Sequence, residues 1–290
     1  MKQKSISVKD FTPEELRKWQ MKLLEILVYF RDFCNENNLR FFLAAGTCIG
    51  AVRHQGFIPW DDDLDVQMFR EDYEKLLKLW DEKADTSRFK CCTTTNKTCC
   101  RFPMTVIRST DTTCIYNHSI KDDICQGLKI DVEFLDASPE RKLDQAIHYL
   151  CSKLFGLFRA QRVPARASFP VKCISWLFLH LVPTMNLRWK ITKLLEKRIK
   201  KFNSDPSCKY VRYLSRPPYE KTVFDDVLWV DFEGYKMPIP AGFDRQLTTR
   251  YGNYMELPPE KDRKPATDNL VFYDLDHSYL NYKGKYYCVK

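Results

Sequence analysis

Residues 46–65 read GTCIGAVRHQGFIPWDDDLD, and this stretch of the 290-residue chain indicates both the fold class and the site. A short apolar run precedes it, as expected for a buried strand, and four aspartates within five residues close it. Side chains of an extended segment alternate between two faces. We therefore expect Asp61, Asp63 and Asp65 on one face and Asp62 on the other.

Three carboxylates on one face repel one another and are costly to bury unless a cation neutralises them. Magnesium binds oxygen ligands, keeps several waters and usually sits on one or two carboxylates together with substrate phosphates. We predict a site for one or two Mg²⁺ ions at Asp61, Asp63 and Asp65. A solvated acidic loop is the alternative, since Asp and Pro also form turns. The strand-like apolar residues that follow Asp63 favour the metal site.

The predicted phosphate contacts lie around the aspartates. A helix predicted from about 47 to 54 places Gly46 and Thr47 at a helix N-terminus, where free N–H groups and the helix dipole favour phosphate. Arg53 and His54, between this turn and the aspartates, are predicted to contact phosphate as well. Arg108 ends a predicted strand and is a further candidate. An ordinary surface role is the alternative for His54 and for Arg108.

The hydrophobic pattern predicts an α/β (α+β) fold with a mixed sheet, flanking helices and an appended helical C-terminal part. Thr12, Pro13 and Glu15 form a capping sequence for a first helix that ends near 35–38. Strands are predicted at 40–44, 64–69, 101–108, 112–117 and 128–135, helices at 71–82, from 139 through 160 and over 169–202, and a hairpin at 230–239. We divide the chain into a catalytic core, 1–138, and a helical and hairpin region, 139–290. In such a sheet, Asp131 can lie beside the aspartate strand as a further carboxylate.

Four blocks of sequence, in order, resemble the LicD family of phosphotransferases, which are relatives of the fukutin-type enzymes. They are the GT-x-IGAVRHxGFIPWDDDLDV string, Ile107-Arg108 with the following DTT, GLKIDVEFLD at 127–136, and the closing pair FEGYKMPIP at 232–240 and YGNYM at 251–255. The resemblance implies a nucleotidyltransferase-like core. It also implies catalysis by Asp63, Asp65 and Asp131, with Asp131 among the Mg²⁺ ligands and a candidate general base.

The resemblance further implies a nucleotide-diphospho-alcohol donor, most often CDP-choline. The phospho-alcohol would pass to a sugar hydroxyl of a cell-surface glycan, teichoic acid or lipopolysaccharide precursor, which is in some cases lipid-linked, with release of CMP. Two departures from the family pattern stand out. Glu133 adds a carboxylate where the family often has an apolar residue, and residues 261–269 lack the family's common histidine.

Two other functions compete with this interpretation. A true nucleotidyltransferase, moving NMP from an NTP to a small molecule or RNA, fits the aspartates and the Gly-Thr turn equally well. A nucleic-acid-binding protein would explain the net charge of +9. That second function needs a continuous basic stripe with interleaved aromatics, and the acidic cluster argues against it. We therefore expect no nucleic-acid partner.

Composition and targeting signals favour a cytoplasmic protein. The first residues lack an apolar signal segment, and the strongest apolar run, 173–182, is well short of a bilayer span. This run and the basic helix after it (186–202) suggest either peripheral contact with the inner membrane face or, slightly favoured, an apolar helix buried against its neighbours. The twelve cysteines are interpreted as thiols. A hairpin with thiols on both strands is preferred over zinc for the pairs 91–92 and 99–100.

Overall fold

The computed structural model describes residues 8–165, 167–267 and 269–289. The expected lack of an export signal concerns in part residues 1–7, which lie outside the described residues. Helices in the described ranges are α1 Pro13–Glu36, α2 Ala45–His54, α3 Arg70–Lys83, α4 Lys142–Ala160, α5 Phe169–Leu181, α6 Met185–Ile199 and α7 Phe243–Tyr251. Strands are β1 Phe42–Leu43, β2 Asp65–Phe69, β3 Phe89–Cys92, β4 Thr105–Ser109, β5 Thr113–Tyr116, β6 Lys129–Ser138, β7 Tyr210–Arg212, β8 Tyr219–Glu220, β9 Val227–Phe232, β10 Tyr235–Pro240 and β11 Leu270–Asp274.

The capping sequence starts α1 as predicted. Thr12 Oγ1 accepts a hydrogen bond from the Glu15 N–H, and a Glu15 carboxylate oxygen accepts one from the Thr12 N–H at 2.7 Å. These two bonds satisfy donors that a bare helix end would leave unpaired. Buried apolar side chains such as Trp19, Leu23 and Phe30 place α1 against the sheet and join the main core.

The central sheet is mixed, and the predicted fold class is confirmed. Its order is β1-β2-β6-β4-β3, with β7 added to the end of β6 and β8 to β7. Strands β2 and β6 are parallel and the other pairs are antiparallel. Strand β6 therefore lies between the aspartate strand and β4. The division at residue 138 stays a prediction, and β7 and β8 from the second segment extend the same sheet.

Two details differ from the expectations. Strand β5 was expected in the main sheet, but it pairs with β11 in a separate two-stranded ladder. Cys91 and Cys92 end β3, whereas Cys99 and Cys100 lie in the connection to β4, so the hairpin with thiols on both strands is wrong. All cysteines in the described part of the chain are free thiols.

The predicted C-terminal hairpin is confirmed as β9–β10. Its two turn residues, Glu233 and Gly234, have φ values of 52° and 81°, as a type I′ turn requires. The Glu233 carboxylate accepts hydrogen bonds from Arg17 at 2.6 and 2.8 Å and from the Phe57 N–H at 3.0 Å. The hairpin is thereby fixed to α1 and to the segment that leads into the aspartates.

The helical part after β6 is confirmed as α4, α5 and α6, but the favoured burial of the apolar helix is wrong. Only Ser175 and Leu179 of α5 are buried, and most of its large apolar side chains face solvent. No helix in the described ranges is long and apolar enough to span a bilayer. The cytoplasmic location stays a prediction.

Candidate active site

The aspartate stretch alternates between two faces as the sequence indicates. Asp61, Asp63 and Asp65 are half-buried, whereas Asp62, Leu64 and Val66 between and after them are buried. The apolar side chains of the second set join the core, so the first set is held at the edge of the sheet. Core packing on one face thus presents three carboxylates on the other.

Asp62 points away from the other aspartates and fixes the loop. Its two carboxylate oxygens accept hydrogen bonds from the N–H groups of Ala266 and Thr267 at 2.7 and 2.9 Å. From the other side, the buried side chains of α1 hold the loop backbone: Trp19 Nε1 donates to the Asp62 carbonyl and Gln20 Nε2 to the Asp61 carbonyl, both at 2.8 Å. Residues far apart in sequence therefore position the acidic loop, and sequence reasoning did not identify them.

Helix α2 begins directly beside the carboxylates. Thr47 Oγ1 accepts a hydrogen bond from the Asp65 N–H at 3.0 Å, which ties the first turn of the helix to the start of β2. A Cβ on Gly46 would lie 2.8 Å from an Asp61 carboxylate oxygen, so this position leaves room only for glycine without movement of Asp61. The preceding residue, Ala45, has a φ of 50°, a left-handed conformation that costs about 1–2 kcal/mol. The chain thus makes a strained turn to place the helix N-terminus at the site.

Strand β6 brings Asp131 to the same edge. Asp65 and Asp131 are register partners on adjacent parallel strands, as expected from the sequence. Lys129 forms an ion pair with Asp131. Glu133, two residues further along β6, is buried and accepts a hydrogen bond from Arg216 at 2.6 Å. Lys129 and Arg216 are the cations that pair with this group. Arg216 comes from the loop after β7, and no sequence pattern links it to Glu133.

The negative charges of the cluster are mutually unfavourable. Burial raises the pKa of Asp65 well above its ordinary value, and the charges of Glu133, Asp63 and Asp131 raise it further. Burial and then the neighbouring aspartates likewise raise the pKa values of Asp61 and Asp63. Carboxylates therefore outnumber the two cations, Lys129 and Arg216, that pair with them.

Arg53 and His54, two of the predicted phosphate contacts, are engaged with protein groups. Arg53 Nη1 donates to the carbonyls of Tyr254 and Glu256, at 2.6 and 3.2 Å, and so anchors the segment after α7. His54 packs edge-on to Trp60 and its pKa is lowered by burial and then by Arg53. Their phosphate-binding role stays a prediction.

Arg108 is fully buried, so the alternative of a solvent-facing arginine is wrong. Its Nη1 donates to the Gly127 carbonyl at 2.5 Å, while Nε and Nη2 make no hydrogen bond within the described residues. Its role in contacting the donor phosphates stays a prediction.

A cavity of about 500 Å³ opens beside the carboxylates. Gly46 and Asp61 form its wall towards the cluster, and Trp60, Tyr251 and Tyr254 supply aromatic surface. A larger cavity of about 600 Å³ contains Phe69 and Leu135, at the opposite ends of β2 and β6 from Asp65 and Asp131. The smaller cavity is the one placed to hold a substrate against the carboxylates.

The donor chemistry of the cluster suits a hard divalent cation. The half-buried carboxylates supply oxygen ligands and excess negative charge, as Mg²⁺ prefers. In the described part of the chain, no three Asp, Glu, His or Cys side chains are already arranged around one ion. The fit therefore rests on ligand type, charge and the shared sheet edge.

Comparison with known proteins adds the family. Residues 38–118 match the family model described as LicD/FKTN/FKRP, nucleotidyltransferase domain. The chain carries a LicD-family domain. The resemblance drawn from the sequence blocks is thereby confirmed, and so is the prediction of a LicD-type enzyme. The matched segment includes the aspartate loop and α2, while Asp131 and Glu133 lie beyond it.

Relatives of this chain differ in how much of it they cover. The lipopolysaccharide cholinephosphotransferase LicD of Haemophilus influenzae is 27% identical over 270 residues, with 86% of this chain and 95% of that protein covered. Uncharacterised proteins of Rickettsia prowazekii and Rickettsia typhi are each 40% identical over 52 residues, which is 18% of this chain and 20% and 17% of theirs. The Haemophilus protein alone among these three extends over most of the fold described above.

Proposed function

We propose that this chain is a Mg²⁺-dependent phosphotransferase that moves phosphocholine from CDP-choline to a sugar hydroxyl of a lipopolysaccharide, teichoic acid or other surface-glycan precursor. One observation carries the proposal: Asp65 and Asp131 are register partners on parallel strands, on the edge that also presents Asp61 and Asp63. The name of the Haemophilus relative, a lipopolysaccharide cholinephosphotransferase, supports the choice of phosphocholine and of a lipopolysaccharide acceptor.

The carboxylates would hold the metal. Asp61, Asp63, Asp65 and Asp131 are the proposed ligands, for one or two ions. Bound Mg²⁺ would supply charge neutralisation and Lewis-acid polarisation at the donor diphosphate. Lys129 and Arg216 keep part of the carboxylate charge balanced when the site is empty of substrate. The excess negative charge that remains makes cation binding favourable.

The donor would occupy the cavity beside Asp61. The N-terminus of α2, at Gly46 and Thr47, faces the carboxylates and offers N–H groups to a phosphate oxygen. The aromatic side chains of Trp60 and Tyr251 suit the quaternary ammonium of choline, which binds to aromatic faces. CDP-choline bound with its choline group at the aromatic side chains and its phosphates at the α2 N-terminus would place the diphosphate at the carboxylates.

The acceptor hydroxyl must lose a proton as it attacks phosphorus. We assign the proton to Asp131, whose side chain lies beside Asp65 and keeps 13% of its surface exposed. Lys129 pairs with this carboxylate and so holds it beside Asp65 at the site. The sugar oxygen would bond to the choline-bearing phosphorus as the bond from that phosphorus to the bridging oxygen breaks. CMP would leave with the bridging oxygen and its negative charge.

Donor binding and turnover test the proposal. A thermal-shift comparison with Mg²⁺ should give a larger stabilisation from CDP-choline than from CTP, since a ligand at a hundred times its Kd adds about 2.7 kcal/mol. Asp63→Asn and Asp65→Asn should each abolish release of CMP in the presence of a glycan acceptor. Retained turnover in both variants would refute the site. Stabilisation by NTPs alone would instead support a true nucleotidyltransferase.

Asp62→Asn is the matched control. This substitution also removes one negative charge from the four aspartates of the loop. The Asp62 side chain, however, points to the N–H groups of Ala266 and Thr267. We expect a loss of about 1–2 kcal/mol in stability, because a charged hydrogen-bond acceptor is weakened, with turnover of the folded protein preserved. Loss of turnover in all three variants alike would point to folding and not to chemistry.

A further inference from the structure

The helical hairpin α5–α6 leaves an unusual amount of apolar side chain in solvent. Seven of the 13 residues of α5 are large, apolar and more than a third exposed, up to 79% at Phe169. Together, α5 and α6 supply nine of the 22 exposed large apolar side chains in the described residues. Contiguous patches of this kind mark interaction surfaces in soluble domains.

The patch is held out rigidly from the protein. Leu179, on the narrow buried side of α5, packs with Leu157 and Phe158 of α4. Arg188 of α6 donates to the carbonyls of Leu179 and Val182, both at 2.7 Å, and so closes the C-terminal end of α5. The exposed side chains of α5 therefore project from a fixed base. At about 100° per residue they cover roughly 200° of the helix.

Positive charge accompanies the apolar surface. On α6, Leu187, Lys190, Leu194 and Lys197 are all exposed and recur at the spacing of one helix face. Helix α5 contains no acidic residue. The one acid of α6, Glu196, is turned towards Arg70 and Lys193, at 3.1 and 2.7 Å. Within the described part of the chain, Lys190 and Lys197 have no ion-pair partner.

We infer that the surface formed by α5 and the Leu187–Lys197 face of α6 docks on an anionic phospholipid bilayer. Apolar side chains beside lysines, on helices too short to span, are the features of a helix that lies in the plane of the interface. A second copy of this chain fits less well, because it would bring like-charged lysines against one another. The inference does not depend on the proposed function, since it concerns only where the protein binds.

Co-sedimentation with vesicles tests the inference. The full chain should bind equimolar phosphatidylglycerol–phosphatidylcholine vesicles, with affinity that falls as salt rises, and should bind pure phosphatidylcholine vesicles at least tenfold more weakly. Lys190→Gln with Lys197→Gln should reduce binding to anionic vesicles on the order of tenfold. Leu177→Ser with Leu181→Ser should reduce it at least as much, and at every salt concentration.

Matched controls use the same changes elsewhere on the surface. Leu228 and Leu280 are exposed leucines, and Lys121 and Lys285 are exposed lysines, that lie outside α5 and α6. Their serine and glutamine variants should bind as the unchanged protein does, and all variants should melt within a few degrees of it. Vesicle binding that the hairpin variants leave intact would overturn the inference. So would a dimer in solution that the leucine variants dissociate, because the patch would then be a subunit interface.

Discussion

Replacing Asp65 by asparagine should stabilise the metal-free protein while it abolishes function. The substitution keeps the size of the side chain and the backbone hydrogen bond from the Asp65 N–H to Thr47. It removes one of the negative charges that face Asp63, Asp131 and Glu133. Stability and activity should therefore change in opposite directions.

The strand register sets the magnitude. Register partners on adjacent strands lie about 4.8 Å apart, and two charges at about 5 Å repel by roughly 3 kcal/mol at an effective dielectric constant of about 20. Solvent and the cations of Lys129 and Arg216 reduce this repulsion, so we expect a net gain near 1 kcal/mol. For a chain of this size, such a gain raises Tm by about 2–4 °C.

The assay is thermal unfolding with EDTA and with Mg²⁺. With EDTA the variant should melt above the unchanged protein. With saturating Mg²⁺ the order should reverse, because the unchanged protein gains binding energy that the variant lacks. Asp231→Asn, on the exposed part of β9, is the control and should stay within about 0.5 kcal/mol in both conditions. A variant less stable than the unchanged protein in EDTA would refute the repulsion argument.

Three further outcomes follow from the same geometry. The folded state raises the carboxyl pKa values of Asp61 and Asp65, so above about pH 4 it binds more protons than the unfolded state. Metal-free stability should therefore fall as pH rises above that value. The Tm gain from Mg²⁺ should grow over the same range. Melting curves across pH with and without Mg²⁺ check this, and a Mg²⁺ effect independent of pH would contradict it. Gly46→Ala should displace Asp61 and weaken the Mg²⁺-dependent shift while metal-free stability changes by less than about 1 kcal/mol, since the clash is with the end of a side chain; an unchanged Mg²⁺ titration would speak against Asp61 as a ligand. Glu233→Gln should cost about 1–2 kcal/mol in urea unfolding, because it breaks a bidentate pair with Arg17. Asp226→Asn, at an exposed residue, gives a surface comparison.

Local rules account for much of what the sequence predicted. The capping box at Thr12, the face alternation of the aspartates and the Val230–Ile239 hairpin each depend on residues close together in the chain. The pairing of Asp65 with Asp131 was also foreseeable, because two buried strands that each carry an aspartate at the same end favour adjacent positions in one sheet.

Long-range contacts explain what the sequence missed. Arg53 lies in the motif but donates to the carbonyls of Tyr254 and Glu256, which are 201 and 203 residues away in the chain. Arg216 reaches Glu133 only because β7 returns to the end of β6. Strand β5 leaves the main sheet because β11, from the C-terminal part, pairs with it. No local sequence pattern predicts these partners.

The exposure of α5 is the clearest failure of pattern reasoning. Hydropathy alone predicts that an apolar helix is buried, but the sequence does not show whether another element covers it. Here α4 covers only the side of α5 that carries Leu179. Hydropathy gives the amount of apolar surface, whereas the fold decides how much of it is covered.

The alternation between the two faces of the aspartate stretch makes the site sensitive to spacing as well as to composition. One residue inserted between Trp60 and Asp65 would turn each aspartate beyond the insertion from the site face to the core face, although every side chain would still be present. An insertion of two would restore the faces and shift the carboxylates only along the strand. Odd and even insertions should therefore differ sharply in tolerance, which makes the length of this loop a heritable constraint in its own right.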